Sequence, residues 1–131
     1  AGFLPVVATV GVDDRGELFN VNADTAAAAL AGALRADKLI LMTDVRGVFT
    51  DLNDESSLIE TLRAGEAREL IARGVVRGGM IPKILCCAAA VEEADGPAEA
   101  RIVDGRVPHA LLRALSQTTG AGGGGTRFVR G

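Results

Sequence analysis

Three short stretches carry residue types that could handle an anion. In "FNVNAD" (residues 19–24), Asn20, Asn22 and Asp24 stand at the head of an alanine-rich run. In "LMTDVRG" (41–47), Thr43 and Asp44 close an apolar run, and Gly47 follows, where a backbone lacking a Cβ could approach a ligand closely. In "GGMIPK" (78–83), Gly78 and Gly79 precede a helical pattern and Lys83 sits about one turn inside it. Unbonded N–H groups at a helix start favour negative charge, and one lysine beside them would reach a phosphate. Together the three stretches offer what phosphoryl transfer needs, charge neutralisation and positioning with little acid–base machinery. Each also has a plainer reading: Asn22 or Asp24 as a helix cap, Asp44 as a turn residue, Lys83 as a solvated cation.

The elements that must position these residues follow from the apolar pattern. "LPVVATVGV" (4–12) reads as a buried strand, "DDRG" (13–16) as a turn and "ELFNVN" (17–22) as the returning strand of a hairpin. Strand alternation would put Leu18, Asn20 and Asn22 on one face and Phe19 and Val21 on the other. Residues 23–34 favour helix, and "KLILMT" (38–43) is a nearly continuous apolar strand of the kind covered on both sides in a parallel sheet. After a polar connection over 44–57, residues 64–73 and 80–94 carry helical periodicity, "ARIVDG" (100–105) a short strand and "PHALLRAL" (108–115) a helix with Pro108 in its first turn. "TRFVR" (126–130) reads as a last strand. The glycine-rich loop "GAGGGG" (120–125) lacks the Lys and Ser or Thr of a phosphate-binding loop and reads as a linker or hairpin turn. This order specifies an α/β chain built as a three-layer αβα sandwich with a largely parallel sheet, whose ligands bind beyond the carboxyl ends of the strands.

Bulk properties narrow the chemistry further. The 131 residues suffice for one domain, or part of a larger one, and the net charge of −3 with scattered basic residues leaves no footprint for nucleic acid. No apolar run approaches the roughly 20 residues that span a bilayer, so no membrane role is expected. Cys86 and Cys87 are adjacent in a helical pattern, a spacing unsuited to a disulfide, and read as reduced and packed. With one histidine, His109, there is no Cys/His set for a metal and no Ser/His/Asp set, so any metal is expected to arrive with the substrate.

"NVNADTAAAALAGAL", "KLILMTDVRGVF", "GGMIPK" and "IVDGRVPHALL", in that order and spacing over about residues 1–119, resemble the C-terminal, nucleotide-binding half of the N-acetylglutamate kinases, within the amino acid kinase family. The resemblance implies the family's αβα fold and transfer of the γ-phosphoryl of ATP, with Mg2+ delivered by the nucleotide, to the side-chain carboxylate of N-acetyl-L-glutamate, a step of arginine biosynthesis. It implies that Lys83 stabilises the transferring phosphoryl, that Asp24 organises the active-site lysines, and that Asn20, with Asn22 beside it, binds acetylglutamate. It places the nucleotide on Asp44, Val45, Arg46, Gly47, Val48 and Phe49, and on Val75, Val76, Arg77, Gly79 and Met80. It further implies a homo-oligomer in the complete enzyme, a PII-type regulatory protein as a partner, and a cytoplasmic protein, or one of the plastid stroma, since "IPKILCC" is most similar to cyanobacterial and plant members.

The family's N-terminal lobe carries a lysine, a double-glycine loop and an arginine that hold substrate and phosphate, with no counterpart ahead of Ala1. Residues 1–131 are therefore expected to form the C-terminal, ATP-binding lobe of a chain truncated at its N-terminus. The tail "SQTTGAGGGGTRF" departs from the family's acidic ending, which leaves arginine feedback open. Two other readings stand beside this one. The chain could belong to another amino acid kinase, acting on aspartate, carbamate or a uridylate, or it could be a catalytically inactive fragment that binds a nucleotide or a partner.

Overall fold

In "KLILMT" the side chains alternate between two faces, and the surroundings of each face decide the layers of the molecule. The structure is a computed structural model that describes residues 2–116 and 124–131. The elements run β1 (Val10–Val12), β2 (Leu18–Asn20), α1 (Ala23–Ala33), β3 (Lys38–Thr43), a 3-10 turn (Glu55–Ser57), β4 (Thr61–Arg63), α2 (Ala64–Ala72), α3 (Met80–Glu92), β5 (Glu99–Asp104), α4 (Ala110–Ser116) and β6 (Thr126–Val129). Strands β3 to β6 form one sheet in the order β3-β5-β6-β4. The pairs β3–β5 and β4–β6 are parallel and β5–β6 is antiparallel, so the sheet is largely parallel.

One face of this sheet carries Leu39, Leu41, Leu62, Ala100, Ile102 and Phe128, all buried. Against them pack Ala31 of α1, Ala67 of α2, and Ile84, Cys87, Ala88 and Val91 of α3. Half of these helix residues are alanine, which lets the helix backbones approach the sheet closely. Ile84 and Phe128 are fully buried, each contributing on the order of 1.5–3 kcal/mol through apolar burial.

The other face carries charge. Lys38, one position from Leu39, points to the opposite side and its Nζ donates to the carbonyls of Ala114 and Leu115 in the last turn of α4, at 3.5 and 3.1 Å. Glu99 lies beneath α4 with its side chain only 6% exposed, and is met by Lys38 at 3.2 Å, Arg101 at 3.0 Å and Arg127 at 2.5 Å. Burial alone would raise the Glu99 carboxyl pKa, but hydrogen bonds from Arg127, Arg101 and Lys38 outweigh it and hold the group below its ordinary value. Helices on both faces complete the αβα sandwich.

Several sequence expectations need correction. The buried strand expected over 4–12 is only Val10–Val12, paired in register with β2 alone and exposed at Val10 and Val12. Phe3, Leu4 and Val6 are about 90% exposed, because no described element packs on them. β3 lies at the edge of the described sheet, with helices on both of its faces, and its coverage is incomplete only toward its end, where Met42 is half exposed because α4 shields that face near Lys38. The last helix starts at Ala110 instead of Pro108, because His109 adopts a left-handed conformation (φ 62°) that cannot continue a helix. β4 escapes periodicity reading because it offers one buried residue, Leu62, in three. Of the glycine-rich loop 120–125, residues 120–123 lie outside the described residues.

Glu99 yields a test in acid. Its folded pKa lies below its unfolded value, so the stability it contributes is present above the ordinary carboxylate range and is lost as pH falls through the folded value. Chemical denaturation from pH 6 to pH 3 should show unfolding free energy falling, with a shallower fall in Glu99→Gln. An equal slope in both proteins would remove Glu99 as a contributor.

Candidate functional site

The turn from β2 into α1 places the first cluster. Asn20 ends β2 in solvent. Asn22 is the N-cap of α1: its Oδ1 accepts from the Thr25 backbone N–H at 3.0 Å and from Thr25 Oγ1 at 3.2 Å. The plainer reading of Asn22 is therefore realised, and because β2 stops at Asn20 the two asparagines do not share a strand face. Asp24, in the first turn of α1, faces α3. Lys83 Nζ reaches its two carboxylate oxygens at 3.1 and 2.9 Å, with the lysine side chain 26% exposed and the aspartate 18%.

Helix α3 begins without a side-chain cap at Gly79, so its first N–H groups are not covered by a neighbouring side chain. Gly78 has φ 63°, a conformation glycine supplies without strain, and Pro82 lies in the first turn, where its missing N–H breaks no intrahelical bond. Lys83 follows one residue later. Cys86, on the next turn, donates its Sγ–H to the Asp24 carbonyl at 3.0 Å. Burial first, then the charge of Asp24, pushes the Cys86 thiol pKa up, and burial raises that of Cys87 further, so both free cysteines stay as thiols.

Beside Lys83 opens a cleft of about 570 Å³. It is lined by Thr43, Asp44, Val45, Arg46, Gly47, Val48, Phe49 and Leu52 from the segment after β3, by Val75, Val76, Arg77, Gly79, Met80 and Lys83 from the segment entering α3, and by Arg106 from beyond β5. The structure thus gathers the loop after β3, the segment before α3 and Lys83 around one space. Asn20, Asn22 and Asp24 do not line it; Asp24 connects to it through Lys83. Among the described residues no group of three or more His, Cys, Asp or Glu is arranged to hold a metal ion.

Charge is concentrated where β3 and β5 end. Thr43 is in register with Asp104, so these strands finish side by side. Arg106 binds Asp104 through two hydrogen bonds of 2.9 Å, and this pairing, with the Arg106 backbone N–H, holds the Asp104 carboxyl down to about 2. Arg46 reaches Glu55 at 3.0 Å, an exposed contact worth well under about 1 kcal/mol. Arg77 turns back to the Gly74 carbonyl at 3.1 Å. Sequence reasoning missed Arg106 and Leu52. A signal for Arg106 was present: Asp104 and Arg106 repeat the spacing of Asp44 and Arg46, the first pair beginning on the last residue of β5 and the second just past the end of β3, its parallel neighbour.

The asparagines can be separated by stability. Asn22→Ala should destabilise the fold by about 1 kcal/mol through loss of the cap, whereas exposed Asn20→Ala should leave it within about 0.5 kcal/mol of the parent. Urea denaturation of both variants measures this, and equal losses would contradict the capping assignment.

The chain resembles known proteins along most of its length. Residues 1–104 match the family model described as the amino acid kinase family. Acetylglutamate kinase of Moorella thermoacetica is 50% identical over 121 residues, 92% of this chain but 40% of that protein. The acetylglutamate kinase of Nostoc sp. strain PCC 7120 has the same identity and coverage. The chain thus spans about two-fifths of the length of these relatives. Among solved structures, a Streptococcus mutans protein is 34% identical with a TM-score of 0.72, over 97% of this chain and 43% of that one. The N-acetylglutamate synthase of Neisseria gonorrhoeae, solved with coenzyme A and N-acetyl-glutamate, is 28% identical with a TM-score of 0.78, over 94% of this chain and 27% of that one. The layered sheet, the cleft beside Lys83 and the match over residues 1–104 lead to one assignment: the chain belongs to the amino acid kinase family.

Proposed function

We propose that this chain is the nucleotide-binding lobe of an acetylglutamate kinase, which transfers the γ-phosphoryl of MgATP to the side-chain carboxylate of N-acetyl-L-glutamate. The observation that carries the reading is the ion pair between Lys83, which lines the cleft from the first turn of α3, and Asp24 of α1. The acceptor carboxylate, with an ordinary pKa near 4.3, is already ionised at neutral pH, so no general base is required. What the reaction demands is that two anions meet, and that charge be balanced as the phosphoryl moves.

The residues suit those demands. The start of α3, where no side chain caps the helix, favours phosphate oxygens at the Met80 N–H, since the Ile81 N–H already donates to the Gly78 carbonyl and Pro82 has none. Lys83 adds a full positive charge one turn in. Asp24 fixes the direction of the lysine ammonium without occupying the cleft. Arg46, Arg77 and Arg106 add cationic groups around the opening, while Val45, Val48, Phe49, Val76 and Met80 give an apolar wall suited to a base. Magnesium, carried in on the nucleotide, would neutralise charge between the terminal phosphates. Asn20 would bind acetylglutamate from the hairpin side.

The relatives' names favour acetylglutamate over other acceptors, at 50% identity for the Moorella thermoacetica enzyme, whereas carbamate kinase from Giardia lamblia at 21% supports only the fold. Exposed Phe3, Leu4, Val6 and Val7 fit a surface that the remainder of such an enzyme covers.

Three measurements bear on this. The chain alone should not turn over acetylglutamate, because further cations and most of the acceptor pocket belong to the rest of the enzyme; measurable product would overturn the lobe assignment. In the complete enzyme, Lys83→Ala should lower kcat by roughly 100-fold or more with a smaller change in KM for ATP, and near-parent kcat would return Lys83 to a surface cation. Calorimetric titration of the folded chain with ADP should show weak binding that Asp44→Ala reduces, and no heat at millimolar ADP would refute the nucleotide site.

A further inference from the structure

The cleft wall made by residues 44–49 is held by a side chain that does not line the cleft. Thr126, the first residue of β6, is fully buried. Its Oγ1 accepts the Val48 backbone N–H at 2.8 Å and donates to the Ile59 carbonyl at 2.7 Å. A hydroxyl has one proton, and here it is committed to Ile59, which leaves a lone pair for Val48. The Ile59 N–H in turn donates to the Val48 carbonyl at 2.8 Å, and Phe49 bridges Leu58, so the two segments also pair directly and the hydroxyl adds a side chain of β6 to that pairing.

The neighbours leave little room for another arrangement. Gly47 has φ 153°, and a Cβ there would sit 2.7 Å from Thr126 Oγ1 and 2.9 Å from a Leu58 methyl. On the strand side, Gly125 has φ 85° and a Cβ there would collide with the Ile102 carbonyl. Thr126 is itself in register with Ile102 of β5. The hydroxyl is therefore fixed by the central strands and passes that position on to the loop.

We propose that Thr126 is a positioning residue for the nucleotide: by bonding Val48 and Ile59 together it sets where residues 44–49 stand against the base and ribose. This rests on the nucleotide reading of the cleft. Without the hydroxyl, the buried Val48 N–H and the half-buried Ile59 C=O lose this partner, and the loop must move for the Val48 N–H to find another. The cost then appears in the ligand the loop would contact as well as in stability.

The test is ADP titration of the whole chain in four forms: parent, Thr126→Val, Thr126→Ser and Phe128→Leu. Thr126→Val keeps the shape and removes the hydroxyl, and should weaken ADP binding about tenfold or more. Thr126→Ser restores the hydroxyl and should bind within about twofold of the parent. Phe128, buried on the same strand but away from the cleft, is the control: Phe128→Leu should lower Tm and leave ADP affinity unchanged. Parent affinity in Thr126→Val, or an equal loss in Phe128→Leu, overturns the proposal. If the valine variant does not fold, Thr126→Cys replaces it, since a thiol donates and accepts weakly and must still lose affinity; parent affinity in that variant also overturns it. A parent chain that binds no ADP overturns the nucleotide reading and this inference together, an outcome distinct from a binding parent with an indifferent Thr126.

Discussion

The ion pair between Lys83 and Asp24 is the contact around which the rest of the site is arranged. It joins the first turns of two helices from distant parts of the chain, α1 and α3, and fixes their starts against each other. A partly buried lysine without a partner would carry a desolvation cost, and the aspartate offsets it while leaving the open end of α3 facing the cleft. The position of the pair depends on ordinary packing. Alanines on α1 and α3 bring both helices close to the sheet, and the Asn22 cap starts α1 where Asp24 can turn toward Lys83.

The sheet contributes through its two unlike faces. The apolar face takes three helices, whereas the face under α4 is organised by Glu99 and the cations around it. Such a buried charge cluster adds less net stability than its short distances suggest, because each group was solvated before folding. Its geometric consequence is clearer: Lys38, Arg101 and Arg127 come from β3, β5 and β6, so one carboxylate registers three strands. Two of those strands end with Thr43 and Asp104 side by side, Thr43 lining the cleft, and the third starts with Thr126, which bonds the cleft loop at Val48.

Much of this was legible in the residues. The strand, helix, strand order came from apolar periodicity, and "TDVRG" and "GGMIPK" marked two stretches that the fold brings to one cleft. Periodicity worked least well where an element is short or its partner is distant. β4 holds one buried side chain, the run 4–12 is apolar yet mostly exposed, and Asn22 could equally have faced a ligand or capped a helix.

The sequence by itself determined the class of the fold, the residue types at the strand ends and the helix start beside Lys83, because these are local properties of backbone preference and side-chain period. Tertiary structure alone decided which of those residues share a space. It joined Asp24 to Lys83, brought Arg106 into the cleft lining with the loop after β3, and gave the Val48 N–H a hydroxyl from Thr126. The physical reason is that hydrogen bonds and ion pairs depend on distances of a few ångströms, and between residues far apart in the chain those distances are set by how layers pack.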